Sequence, residues 1–174
     1  MSTPAWTGWA EAGLAGGTAA GTGGRRSAVE LDGLRQWMRE LGYGPAAIAA
    51  EFGRRYGIRP REGYRLARGW TLEEAAGRFN EHADQQDGDR QERVRLTGSR
   101  LADLERWPDT AGTPPVHVLF VLAALYEADV LSLLDCADHQ NLPQPDWRVL
   151  LSRPHPRRRP GVRAAGPGRV VCDG

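Results

Sequence analysis

RLARGWTLEEAAGRFN at residues 65–80, LTGSRLADLERW at 96–107 and PPVHVLFVLAALYEADVLSLLD at 114–135 are the stretches on which the fold turns. In the first, Thr71 and Glu74 form a T-x-x-E capping pair ahead of Leu72, Ala75, Ala76 and Phe79. The i, i+3, i+4, i+7 spacing of those apolar residues is that of an amphipathic helix. In the second, Thr97 is a good N-cap for a helix through Trp107, with Leu101 and Leu104 turned inward and Pro108 ending it. In the third, Thr113 with Pro114 and Pro115 starts a helix whose buried stripe is Leu119, Leu122, Ala123 and Tyr126. Asp129 then caps a last core helix carrying Val130, Leu133 and Leu134.

Further helices flank these stretches. Pro60 suits the first turn of a helix that runs to Arg68 and stops at Gly69. From Val29, Leu31, Leu34, Met38 and Leu41 recur at spacings of three and four until Gly42; Pro45 opens another stripe, Ile48, Phe52 and Tyr56, closed by Gly57. Residues 84–92 (DQQDGDRQE) read as a loop, and 142–151 as a short amphipathic piece packing back through Trp147, Leu150 and Leu151. No strand period occurs. The expectation is an all-α domain at 29–152, with a five-helix core at 59–139 and two added N-terminal helices. Residues 1–28, rich in Gly, Ala and Thr, and the Arg/Pro-rich 153–174 are expected to be disordered tails.

All 23 basic residues are arginine, and a net charge of +1 conceals an asymmetry. Residues 29–146 carry 14 Arg against 20 acids, whereas 147–174 carry seven Arg and one Asp. An acidic middle opposes phosphate binding. Within it, however, Arg54, Arg55, Arg59, Arg61, Arg65 and Arg68 lie together with only Glu62 against them, as a solvated basic face or a phosphate-contacting one.

Several function classes lose support. Four histidines fall on unrelated segments, the absence of lysine rules out a G-x-x-x-x-G-K phosphate loop, and no nucleophile–base pair can be placed; the chain is not read as an enzyme and no cofactor is expected. Cys136 and His139 have C-x-x-H spacing, but a zinc site would need His155 and Cys172 from the tail, so no metal is expected and Cys136 reads as a small buried hydrophobe. No signal peptide and no apolar run of the roughly 18 residues that span a bilayer occur, which points to a cytoplasmic protein without a membrane partner.

The three blocks, in this order, resemble the XRE family of helix-turn-helix transcriptional regulators, the group of the Cro and phage-repressor domains. The added N-terminal helices and the ending CADHQNLP are similar to actinobacterial members. The resemblance implies a lambda-repressor-like five-helix DNA-binding domain whose recognition helix is about 97–107, binding double-stranded DNA as a homodimer. It also implies a structural ion pair between Arg65 and Glu105. On that helix the expected outward residues are Gly98, Ser99, Arg100, Asp103 and Arg106, with Thr97 and Ser99 suited to phosphate. Arg100 matches the O6/N7 edge of guanine and Asp103 the amino group of cytosine. The sequence departs from the family in two places: Leu72 replaces a glutamine that often contacts DNA, and about fifteen residues, Glu81 to Arg95, replace a short turn. These departures leave a rival reading open, a protein-interaction adaptor of the same fold that does not read DNA. No segment reads as a separate sensor domain for a small-molecule effector.

Overall fold

Helix boundaries fall where the chain carries residues able to satisfy or end a helical backbone. The computed structural model describes residues 27–86, 94–110 and 112–152, and every regular element among them is helical. α1 (Ala28–Glu40) begins on a capping box, with Glu30 N–H donating to Ser27 Oγ at 3.1 Å and Ser27 N–H to the Glu30 carboxylate at 3.2 Å. Ser27 and Ala28 therefore belong to the first helix and not to the expected tail; the rest of both tails lies outside the described residues. α2 (Pro45–Tyr56) and α3 (Pro60–Arg68) each start on proline and end on a left-handed glycine, Gly57 and Gly69. α4 (Leu72–Gln86) starts on the Thr71–Glu74 box and α5 (Gly98–Arg106) on Thr97.

Three boundaries differ from expectation. α4 continues through Gln86, because EHADQQ contains no helix breaker and the next glycine after Gly77 comes only at Gly88. α6 (Val116–Leu125) takes Pro115, not Thr113, as its N-cap. The expected last core helix is two pieces: Asp129 caps only a 3₁₀ turn (Val130–Leu133), and an Asp135–Asp138 capping box opens α7 (Cys136–Asn141). The break falls where the Leu133 carbonyl accepts from Arg61 Nη1 at 3.1 Å instead of continuing a helix. α8 (Gln144–Ser152) closes the described chain.

The core gathers the inner stripes of these helices: Ile48 and Phe52 from α2, Ala75, Ala76 and Phe79 from α4, Leu101 and Leu104 from α5, Val118, Leu119 and Leu122 from α6. α2 and α3 approach closely enough that a Cβ at Gly63 would stand 3.2 Å from the Ala49 carbonyl oxygen. α1 lies across the end of α3, where Arg35 donates to the Leu66 carbonyl at 3.2 Å and Arg39 to that of Ala67 at 2.8 Å. Leu142 and Leu150 are buried in this core and Trp147 is half-buried against His139, whereas Leu151, expected to pack back with them, is exposed. Cys136 stands half-buried at the start of α7 and not inside the core. Among the described residues no helix is long and apolar enough to cross a membrane.

A charged group sits at the centre. Arg61 is 0 % exposed, and all its N–H groups are used. Nε donates to the Leu104 carbonyl at 2.8 Å, Nη1 to Leu133 at 3.1 Å, Nη2 to Trp107 at 2.8 Å, and both Nη atoms to the Asp138 carboxylate at 2.8 Å. Asp138, also 0 % exposed, accepts in addition from the Asp135 N–H at 2.9 Å. The run Arg54–Arg68 is thus not one continuous basic face: Arg59, Arg61, Arg65 and Arg68 are buried or half-buried, and only Arg54 and Arg55 stay exposed. Arg54 and Arg55 pair with Glu51, Arg59 bridges Asp109 and Asp135, and Arg68 donates to the Tyr126 carbonyl and lies over Trp70.

Removing one partner of a buried, hydrogen-bonded ion pair costs about 3–5 kcal/mol, because the other charge is stranded. Asp138→Ala is expected to lower stability by that amount, read as a drop in urea midpoint at constant slope; a double variant, Arg61→Met with Asp138→Leu, should lose less than the single one. On the surface, the Arg54 guanidinium, with help from Arg55, holds the Glu51 carboxyl down to about 2 from its ordinary 4.5. Because the folded value is depressed, this pairing stabilises fully above pH 4.5 and is lost as pH falls towards about 2. Thermal midpoints of the wild type and Glu51→Gln should accordingly differ most above pH 4.5 and converge in acid.

Candidate nucleic-acid interface

α5 is short and owes its placement to its neighbours. One side of it is internal: Leu101 is 0 % exposed, Leu104 2 % and Glu105 4 %. The internal side is also where the helix is tied down. Arg65 on α3 donates through Nε and Nη2 to the two Glu105 carboxylate oxygens, at 2.6 and 2.8 Å, and through Nη1 to the Trp70 carbonyl at 3.0 Å. Burial pushes the Glu105 carboxyl above its ordinary range, and the Arg65 guanidinium beside it works in the other direction. The Leu104 and Trp107 carbonyls at the helix end accept from Arg61. The aromatic ring of Tyr126, stacked at 12° on Tyr64 with centroids 6.0 Å apart, completes this wall.

The outward side carries Thr97, Ser99, Arg100 and Arg106, all exposed, with Asp103 half-buried between them. Thr97 Oγ1 accepts the Arg100 N–H at 3.3 Å and lies 3.0 Å from Ser99 Oγ, so both hydroxyls are gathered at the helix start. Arg106 leans back on its own helix, with Nε on the Ala102 carbonyl at 3.2 Å and Nη2 on Asp103 at 3.4 Å. Arg100 is exposed, and its guanidinium meets no acceptor among the described residues; its Nη2 lies near Gly112, where an added Cβ would stand 3.8 Å from it.

Gly98 does not belong to that face. It is buried, because the Glu73 side chain of α4 folds over it: Gly98 N–H donates to Glu73 Oε2 at 3.3 Å, and a Cβ at Gly98 would overlap the Glu73 carboxylate. The first backbone donor of α5 is therefore already engaged by a negative charge of the chain itself. Glu74 adds a second carboxylate at the start of α4, its pKa lowered by hydrogen bonds from the Thr71 backbone and hydroxyl.

The interval between α4 and α5 is shorter than the fifteen-residue turn expected, since α4 extends to Gln86; residues 87–93 lie outside the described ones. Where the chain resumes, Asn80 holds it. Asn80 Nδ2 donates to the Leu96 carbonyl and Leu96 N–H donates to Asn80 Oδ1, both at 2.9 Å. Arg95 lies 3.6 Å from Asp84.

Sequence reasoning missed Arg61, Asp138, Asn80 and Glu73. Arg61, Tyr64, Arg65 and Arg68 do stand at i, i+3, i+4, i+7, the register of a helix's inner face, and that spacing was the available signal for α3. Nothing comparable marks Asn80 or Glu73. Among the described residues no group of three His, Cys, Asp or Glu could hold a metal ion; His155 and Cys172 lie outside them. Comparison of the chain with protein-family models, curated proteins and solved structures finds no match.

Groups in direct contact couple by about 0.5–3 kcal/mol in double-mutant cycles. A cycle on Arg65→Ala and Glu105→Ala, followed by urea unfolding, is expected to give a coupling in the upper half of that range. Additivity of the two single losses would show that the pair does not hold α5 to α3.

Proposed function

We propose that the chain is a sequence-specific DNA-binding regulator of the helix-turn-helix type, with α4 and α5 as the paired helices and α5 in the major groove of double-stranded DNA. The fold assigned with this reading is lambda-repressor-like, in the manner of the XRE family. The observation that carries it is Arg100: an exposed arginine whose guanidinium meets no acceptor among the described residues, on a helix fixed by buried polar bonds to α3. A groove-reading helix needs that combination, since its side chains must arrive at base edges already placed. In this assignment Arg100 takes guanine O6/N7 and Asp103 accepts from a cytosine amino group. Thr97, Ser99 and Arg106 contact phosphate and set register. Gly98 drops out as a contact and becomes the point where α4 touches α5. One such helix reads too few base pairs for useful specificity, so the chain acts as a homodimer on a site of two-fold symmetry.

A second reading rests on Glu73. A carboxylate at the start of α5 stands where a DNA phosphate would otherwise lie, and Glu74 adds to it. An adaptor that presents the same face to another protein has no need of that phosphate.

The two readings separate on genomic DNA fragments retained by the full chain at about 150 mM salt, a strength at which weak phosphate contacts are much reduced. The regulator reading expects a few sites with a common two-fold motif. Arg100→Ala should weaken binding to them by about 1–3 kcal/mol, roughly 5- to 150-fold, and relax preference at one base pair of each half-site. The Arg-rich tail is common to both chains, so the difference between them belongs to α5. Equal retention by the two chains, with no shared motif, would hand the face to a protein partner.

A further inference from the structure

The chain from Arg95 to Gly98, where α5 begins, runs backwards along α4. Asp84 meets Arg95, Asn80 meets Leu96 and Glu73 meets Gly98, so contacts that ascend along one segment descend along the other. Residues 94–96 lie in no helix or strand, yet Leu96 is only 4 % exposed. A buried peptide group in that state must find a donor and an acceptor elsewhere. A carboxamide supplies both at the spacing of a peptide unit, and Asn80 delivers them at 2.9 Å each.

We infer that Asn80 is a positioning residue for α5: by holding both backbone groups of Leu96, it sets where the helix begins and so where Ser99 and Arg100 are presented. This rests on the reading of α5 as the groove-reading helix, although the hold on Leu96 is independent of it. Asn80 lies on the inner side of α4 beside the core residues Ala76 and Phe79, half-buried, and makes its contacts to backbone alone. Its effect therefore passes through the chain and not through DNA. Because Leu96 is fixed after the interval 87–93, the direction of α5 is decoupled from the length of that interval. The long spacing that departs from a short family turn is then compatible with an unchanged helix pair.

The test uses the full chain and two readouts. Asn80→Ala keeps helix propensity in α4 and removes both bonds. Amide exchange at Leu96 is expected to accelerate about tenfold while Phe79, in the middle of α4, keeps its protection; a merely destabilising change would speed both alike. Asn80→Asp, which keeps the acceptor for Leu96 N–H and loses the donor to its carbonyl, should fall between the two, and serves if the alanine chain does not fold. On DNA, the ratio of motif to scrambled-site affinity should drop about tenfold in Asn80→Ala with scrambled-site affinity unchanged within about twofold. Unchanged exchange at Leu96, or a released Leu96 with selectivity intact, overturns the inference. If the wild-type chain itself shows no selectivity, the DNA reading fails, and the hold on α5 then stands or falls on exchange at Leu96 and Arg100.

Discussion

The structure depends on one guanidinium. Arg61 reaches the last turn of α5, the residue after it, the 3₁₀ turn and α7 at once, so two stretches far apart in sequence, 104–107 and 133–138, meet on a single side chain of α3. The planar fork with its fixed donor directions makes this possible; an ammonium, with three donors and no plane, would leave carbonyls in the interior without a partner. The dependence runs both ways. The Leu104 and Leu133 carbonyls are available to Arg61 because their helices stop there, and the helices can stop there because Arg61 satisfies their ends. Asp138 supplies the opposing charge from the first turn of α7, where its own backbone is held by Asp135.

That arrangement reassigns the charge of the chain. Arginines 54 to 68, which form the densest basic run in the middle of the sequence, are directed inward or neutralised by their neighbours. Outward positive charge near α5 comes instead from Arg95, Arg100 and Arg106, set against Glu73, Glu74 and Asp103. A face so mixed in sign attracts polyanions weakly at long range, so any selectivity it has must come from short-range geometry. Rigid placement of α5 matters for this reason: where attraction is modest, fixed direction is what remains to discriminate one surface from another.

Most of the fold is legible in the sequence, because helix ends are written locally. Pro45, Gly57, Pro60, Gly69, Thr71 with Glu74, and Thr97 each act within one turn of themselves, and the structure uses all of them. Asp129 misled for the same reason: it caps as its type requires, but the length of the helical piece it opens is set by Arg61 from far away. The outward residues of α5 came from Leu101 and Leu104 being inside, with Gly98 the exception, since whether a glycine is covered depends on a side chain 25 residues earlier. The Arg65–Glu105 contact was anticipated only through family resemblance. Arg61 with Asp138 and Asn80 with Leu96 were not, as a polar residue that satisfies buried groups looks, in one dimension, like any polar residue at the surface.

The two arginines of α1 have a consequence for the order in which the domain opens. α1 contributes one buried apolar residue, Met38, with Leu31 and Leu34 half-buried against the core, and grips α3 by Arg35 and Arg39 on its last carbonyls, groups that water can serve equally well. Its detachment would uncover three apolar side chains but strand no buried charge. Release of α3 from α5 and α7, by contrast, would expose a charged pair and three carbonyls together. The molecule is therefore graded: an N-terminal strap held without buried charge, around a centre whose polar bonds are lost together.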